Sequence, residues 1–299
     1  MKKLNVQDQI VSNKLKSVVL IGLVFLSLIF LGYVIGLFYD PSVVYFFVII
    51  AGVFSILFTF FSYYYSDKIV LASVKARPAT KKEHRYLVNV VEELAIAAGI
   101  PTPKIYVIDS NEINAFATGR NPQHGVICVT TGMIKLLNRS ELEGVVAHEM
   151  SHIGNYDIRF ATLVAVMVGM VVIIADMFRR SMWYSGGSRD GERKGGSGVL
   201  VIVGLVFAIL APLLVKLVQL AISRKREYLA DANGGYLTRY PEGLASALEK
   251  IKNHNTGRMN VSRAAAPLFI VNPFKGSKVS GLLSTHPDIN ERIKRLRSM

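Results

Sequence analysis

Residues 18–38 form an apolar run without a single charge, and residues 43–61 form another, separated only by Tyr39, Asp40, Pro41 and Ser42. Each is close to the ~20 residues that a helix needs to cross a ~30 Å hydrocarbon layer. Inside such a layer every backbone N–H and C=O must be bonded within its own segment, so two helices folded back on one another are what this stretch can form. A cleaved signal peptide is the competing reading of the first run. No small-residue cleavage site precedes Asp40-Pro41, however, and a second span follows at once. An N-terminal membrane hairpin over residues 1–66 is therefore expected.

The charges around these runs orient them. Lys2, Lys3, Lys14 and Lys16 precede the first span, and Lys68, Lys75, Arg77, Lys81 and Lys82 follow the second, while the link contains no base. By the positive-inside rule both flanks face the cytoplasm. The net charge of +14, from 35 basic and 21 acidic residues, then reads as juxtamembrane Lys and Arg facing the lipid bilayer, with no nucleic-acid partner required. The single cysteine, Cys128, excludes an internal disulfide framework, suits a reducing cytosol, and reads as a packed strand residue.

Past the hairpin the period changes. Thr80 and Glu83 have the form of a capping box, and Leu87, Val90, Val91, Leu94 and Ala98 follow at helical spacing until Gly99. Residues 104–109 and 125–130 are short, rich in β-branched residues and bounded by Pro or Gly, which predicts two strands; residues 114–119 between them are ambiguous, a strand or an extended edge. Two further apolar runs, 160–178 and 199–222, flank a Gly-, Ser- and Arg-rich stretch. Asp176, Pro212, Lys216 and Gln219 interrupt them, so a second hairpin over 160–222 either spans the membrane, which is favoured, or enters it partly or packs on the domain. The cytoplasmic catalytic part is thus divided into 67–159 and 223–299.

The chemistry is concentrated at His148-Glu149-Met150-Ser151-His152. Two histidines four apart on a 3.6-residue helix project from one face and can reach a single zinc ion, while Glu149 can act on an activated water without becoming a ligand. Ser140 and Glu143 offer a capping box that starts this helix upstream, and Leu142, Val145 and Val146 give it an apolar side. A catalytic zinc takes three protein ligands and keeps one position open. Glu227 is the candidate third ligand, and Asp231, one turn on, is spaced to support a ligand histidine. Both parts of one site must lie on the same side of a bilayer, so the chain between His152 and Glu227 crosses it twice or not at all.

HEMSH, a hydrophobic hairpin and then Arg226-Glu227-Tyr228-Leu229-Ala230-Asp231 resemble the HtpX-type membrane metalloproteases, bacterial relatives of the zinc-dependent CAAX prenyl proteases. The resemblance covers nearly the whole chain, including Asn114 to Gly119 and the terminal Ser284-Thr285-His286-Pro287. It implies an α+β fold: a mainly helical, membrane-anchored, zincin-like metallopeptidase with a small β-sheet and two hydrophobic helical hairpins. It further implies a multi-pass protein of the bacterial inner (plasma) membrane, one Zn2+ per chain, a site facing the cytoplasm, and protein or peptide substrates, above all misfolded or damaged membrane proteins under heat stress.

Carried over, the resemblance makes His148, His152 and Glu227 the zinc ligands, Glu149 the general base and Asp231 the support of a ligand histidine. Asn114 and Ala115 would bind substrate backbone by strand addition, His286 would stabilise the oxyanion, and Arg292 would meet substrate near the site. From the residues alone, His286 beside Pro287 reads instead as a cap or surface residue. A site-2-type intramembrane protease is a weaker fit, because Arg139, Glu141, Glu143, Asp157 and Arg159 around the motif argue for a water-exposed domain. A peptidase processing specific membrane or lipidated peptides shares the same site, and a non-enzymatic membrane scaffold is opposed by the intact motifs.

Overall fold

The computed structural model of the protein describes residues 6–169, 224–257, 259–262, 264–274 and 287–299. The expected second hairpin beyond residue 169, and Ser284, Thr285 and His286, lie outside the described residues.

Helices α1 (Val6–Tyr39) and α2 (Val44–Tyr64) form the N-terminal hairpin. Asp40 reverses the chain, its carboxylate accepting from the Ser42 N–H at 2.8 Å while Pro41 opens a short 3-10 turn. The two helices approach closely at Gly32 and Gly36, where a Cβ would collide with α2; at Gly36 it would sit 2.9 Å from Val44 Cα. Small residues four apart are how helices pack in lipid, where no hydrophobic drive separates them from the solvent.

α1 starts twelve residues before the apolar run that begins at Val18. The candidate spanning helix Gln7–Leu37, apolar from Val18 on, has 31 residues. At 1.5 Å per residue that is ~46 Å, well over the ~30 Å hydrocarbon layer. The surplus lies at its start, where Asn13 and Ser17 are buried against the rest of the protein.

After α3 (Ser66–Ser73) come β1 (Arg77–Pro78) and α4 (Lys81–Ala98). Thr80 caps α4 by accepting from the Glu83 N–H at 3.3 Å, but Glu83 spends its own carboxylate on Arg77. Only half of the expected capping box therefore forms. β2 (Lys104–Ile108), β3 (Ala115–Gly119) and β4 (Gly125–Thr130) complete a four-stranded mixed sheet of order β1-β2-β4-β3, with β2 and β4 parallel and the other pairs antiparallel. The ambiguous 114–119 segment is thus the edge strand β3.

α5 (Thr131–Leu136) leads into α6 (Arg139–Gly154), and a further helix, α7, occupies residues 157–169. α8 (Arg224–Thr238), α9 (Pro241–His254) and α10 (Ile289–Arg297) follow. α6 runs through the centre, packed between the sheet, α4, α8 and α9. Leu142, Val145, Val146 and Ile153 from α6 are fully buried with Leu87 and Val91 of α4, Ile127 and Val129 of β4 and Leu248 of α9. Each such side chain is worth ~1.5–3 kcal/mol when removed from water. The protein is mainly helical, with a small mixed sheet and two apolar helices near its N-terminus.

Candidate metal centre

α6 is fixed at its start by a reciprocal cap at Asn138, not at Ser140 as the sequence suggested. The Asn138 side chain accepts from the Glu141 N–H at 3.0 Å, and Glu141 accepts from the Asn138 N–H at 2.8 Å. Lys250 of α9 reaches the same Glu141 oxygen at 2.7 Å. The helix therefore begins two residues earlier, and His148 and His152 fall in its last two turns.

Their rings stand nearly perpendicular, 89° apart with centroids separated by 4.8 Å, and bring Nε2 of one within 3.3 Å of Nε2 of the other. Glu227 arrives on α8, placing one carboxylate oxygen 3.8 Å from His148 Nε2 and the other 3.5 Å from His152 Nε2. α8 can lie this near because Gly234 faces the backbone of His148: a Cβ there would stand 3.1 Å from the His148 nitrogen. Asn233 adds a hydrogen bond to Ser151 Oγ at 3.0 Å, inside the motif itself.

Each histidine is backed by a carboxylate at its far nitrogen. His152 Nδ1 meets Asp157 Oδ2 at 3.0 Å. His148 Nδ1 lies 2.9 Å from Asp231 Oδ1, a close ionic approach whose angle falls short of a straight hydrogen bond. Both protons are thereby drawn to Nδ1, leaving two Nε2 lone pairs and a carboxylate converging on one point. Such a convergence is repulsive unless a positive charge sits in it, either a metal ion or, in the metal-free protein, a proton on His152. The three donor atoms lie within 4.8 Å of one another, and two imidazoles with one carboxylate is a donor set of catalytic zinc sites.

The buried charge agrees. Glu149, Asp157, Glu227 and Asp231 are buried beside Arg226 and Arg292, four carboxylates against two guanidiniums. Among the described residues the acids of this cluster outnumber its guanidiniums, an excess that suits a bound cation. Burial pushes the Glu149 carboxyl up to about 7, with Glu227 adding to it and His152 and Arg292 opposing. Burial alone would lower His152, yet its bond to Asp157 and the charges of Glu227, Asp157 and Glu149 outweigh it and hold the imidazole up at about 9. Without a metal, His152 thus keeps a proton in the cluster.

Arg292, on α10, is 1% exposed. It grips Asp231 and extends Nη2 to 3.5 Å from His148 Nε2 and Nη1 to 3.7 Å from Glu227. Asn114 and Ala115 stand at the head of β3, and their polar groups are engaged by the segment after α9. Asn114 Nδ2 donates to the Val271 carbonyl at 2.8 Å, and the Ile270 N–H donates to the Ala115 carbonyl at 2.8 Å. Asn114 bonds through its carbonyl to Thr130, so by antiparallel alternation residues 115, 117 and 119 turn their backbone groups to the outer edge. The Ala117 N–H there faces Glu149. His286 lies outside the described residues.

Two participants went unrecognised in the sequence. In the sequence Asp157 reads as a mark of a water-exposed flank, but it is buried and bonded to His152. It gets there because α6 ends at Gly154 and Tyr156, at φ 59°, turns the chain in the left-handed region. The usable signal was an acidic residue five positions past the second histidine, just after a helix break. Ala117 carries no side-chain signal at all, since its contribution is a backbone amide set by sheet register.

The profile of peptidase family M48 matches residues 81–299, from the first residue of α4 to the last of the chain. A protease HtpX homolog of Dictyoglomus turgidum is 48% identical over 300 residues, covering 100% of this chain and 96% of the relative. One of Streptococcus uberis is 42% identical over 295 residues, covering 98% and 99%. One of Pyrococcus furiosus is 46% identical over 253 residues, covering 84% and 86%. The crystal structure of S. mikatae Ste24p aligns with a TM-score of 0.47 at 22% identity, over 97% of this chain and 66% of that one. With relatives alike along most or all of their length and a family model that takes in the histidine pair, its glutamate and α10, the chain belongs to peptidase family M48 and is a membrane metallopeptidase that hydrolyses peptide bonds.

Proposed function

We propose that this protein is a zinc-dependent integral membrane endopeptidase that cleaves misfolded or damaged membrane proteins on the cytoplasmic side of the bacterial plasma membrane. The observation that supports this reading best is the convergence of His148 Nε2, His152 Nε2 and the Glu227 carboxylate, each imidazole backed by its own acid. Zinc held by these three residues supplies Lewis acidity, which brings water toward neutral pKa and polarises a peptide carbonyl.

The chain's own groups do the rest. Glu149, buried and with a carboxyl near 7, takes the proton from the attacking water and returns it to the leaving amine. Asp231 and Asp157 hold the ligand rings in the tautomer that keeps Nε2 free. Asp231 is itself held by Arg292, which makes Arg292 a positioning residue in this reading. The Ala117 N–H faces Glu149 from the outer edge of β3, the edge to which an extended peptide adds as a strand in this reading; at Asn114 and Ala115 that edge is taken by the 270–271 segment, which the peptide displaces. His286 is assigned the oxyanion by the family resemblance alone.

Cytoplasmic orientation rests on the lysines that flank α1 and α2 and on the base-free link. The test of activity is cleavage of casein and of an unfolded membrane protein by detergent-purified protein, with bound zinc measured in parallel. Chelator-sensitive cleavage lost in Glu149→Gln is expected; cleavage that survives full zinc removal would refute it. For topology, Asp40→Cys is expected to react with an impermeant maleimide in intact cells and Lys82→Cys only after lysis, against a quiet background because Cys128 is fully buried. The reverse pattern would place the site outside.

A further inference from the structure

Asn13 belongs to the helix that carries the first apolar span, yet it is 2% exposed and touches the turn that supports a metal ligand. Its Nδ2 donates to Asp157 Oδ1 at 2.6 Å and to the Asn155 carbonyl at 3.0 Å. Asp157 uses its other oxygen on His152 Nδ1, at 3.0 Å. The Asn13 Oδ1 lies 3.5 Å from Nη1 of Arg226, the residue before Glu227. One amide thus stands between the support of one ligand and the helix of another.

The rest of α1 is seated on the same turn. Lys14 Nζ lies 4.4 Å over the ring of Tyr156, whose left-handed backbone delivers Asp157 to the histidine. Leu20 is buried in a cluster with Phe160, Leu163, Val164 and Met167 of α7, the helix that Asp157 begins. The contact is therefore built, with an apolar base, a cation on an aromatic ring and a short buried hydrogen bond to a carboxylate.

Taking the zinc site proposed above as given, we infer that Asn13 is a positioning residue of the metal centre, fixing Asp157 so that His152 presents Nε2 to the ion, and thereby makes the membrane helix α1 part of the active site. A carboxylate with one oxygen tied to Asn13 has one orientation left for the other. Arg226 Nη1 reaches the same oxygen at 3.5 Å, so with Asn13 removed the carboxylate is held there by that longer contact and is free to tilt toward Arg226, and the His152 ring loses its fixed partner. The metal site then depends on how α1 is seated in the membrane, because a displacement of about an ångström breaks a hydrogen bond of this length.

The test is zinc affinity of the full-length protein, measured by chelator competition on metal-free samples of wild type, Asn13→Leu, Asp157→Asn and the double variant. Loss of a direct partner of a ligand histidine costs ~10- to 100-fold in metal affinity, so Asp157→Asn is expected in that range and Asn13→Leu, one bond further out, at ~5-fold. The double variant should bind as Asp157→Asn alone does, because Asn13 acts through that carboxylate. Should Asn13→Leu fail to fold, Asn13→Ala is measured in its place. Affinities unchanged in the Asn13 variant, or losses that simply multiply in the double variant as for an independent structural effect, would overturn the inference. His152→Ala separates the two readings: it must abolish tight binding, and if it does not, the zinc site itself is wrong.

Discussion

Arg292 holds Asp231 with two parallel bonds, Nε to Oδ2 at 2.9 Å and Nη2 to Oδ1 at 2.7 Å, and both residues are almost completely buried. Lysine cannot reproduce this fork, since it offers a single ammonium. Arg292→Lys is expected to keep the fold and to weaken zinc binding by ~10-fold through a loosened Asp231. Arg292→Met leaves a buried carboxylate without its cation and is expected to destabilise the protein by about 3–5 kcal/mol. Burial would raise Asp231, but Arg292 and His148 outweigh it and hold it at about 2. A carboxyl lowered in this way stabilises the fold fully above its unfolded value of ~3.9, and that contribution is lost as pH falls toward about 2. In Arg292→Met the acid loss should begin at higher pH, as read by denaturant titration across that window.

Glu149→Gln separates binding from turnover. Glutamine keeps the shape and leaves His148, His152 and Glu227 untouched, so zinc content should remain at one per chain. It cannot accept a proton from water. General acid–base catalysis contributes ~10²- to 10⁴-fold, and kcat on a peptide substrate is expected to fall by that amount. Glu227→Ala should do the opposite and lose the metal first. Zinc analysis beside single-peptide kinetics distinguishes the two.

Zinc affinity should rise with pH between the ordinary histidine value and about 9. Metal and proton compete for His152 Nε2, and the metal-free protein holds that imidazole at about 9 because Asp157 and the neighbouring carboxylates overcome the effect of burial. Below that value each zinc bound must expel a proton, so affinity falls up to tenfold per pH unit as pH drops. The same raised value means that His152 stabilises the metal-free fold below ~6.5 and that this support is lost as pH rises through about 9. Chelator competition at several pH values reads the first slope. Asp157→Asn should flatten it and shift it to lower pH.

Much of this centre was legible as spacing. The i, i+4 pair His148 and His152, and Glu227 with Asp231, are helix-periodic, and helix period survives in a sequence without knowledge of what packs on it. β2 and β4 were legible for a similar reason, as β-branched runs between breakers. What stayed hidden depends on the third dimension. Asp157 looks like a solvated charge until the left-handed Tyr156 turns it inward. Asn13 looks like a polar flank of a membrane span, because nothing in residues 6–17 says that α1 outruns the bilayer and lands on the metal centre. β1, two residues long, exists only by pairing with β2 at Val107 and Tyr106. The cap of α6 lies two residues before the one the sequence suggests, since Asn138-x-x-Glu141 and Ser140-x-x-Glu143 are both valid caps and only the choice of Glu141 brings in Lys250.

The close crossing of α6 and α9 makes a stability prediction whose sign is decided by magnitudes. A Cβ on Gly144 would stand 2.6 Å from the Leu244 nitrogen and 2.8 Å from its Cα, and backbone atoms in the first turn of a helix cannot rotate away. Alanine in a helix interior gains about 1 kcal/mol over glycine. Overpacking a tight core costs about 1–3 kcal/mol, and here the whole of α9 must shift, so the upper end of that range applies. Gly144→Ala should therefore be net destabilising by about 1–2 kcal/mol despite its better helix propensity. Gly154, in the last turn of the same helix, has nothing within 4 Å of its would-be Cβ, so Gly154→Ala should be neutral or slightly stabilising. The temperature at which the detergent-solubilised protein loses its zinc is expected to drop by roughly 2–8 °C for the first variant and to stay level or rise for the second. Equal behaviour of the two would mean that α6 and α9 are not packed backbone to backbone at Gly144.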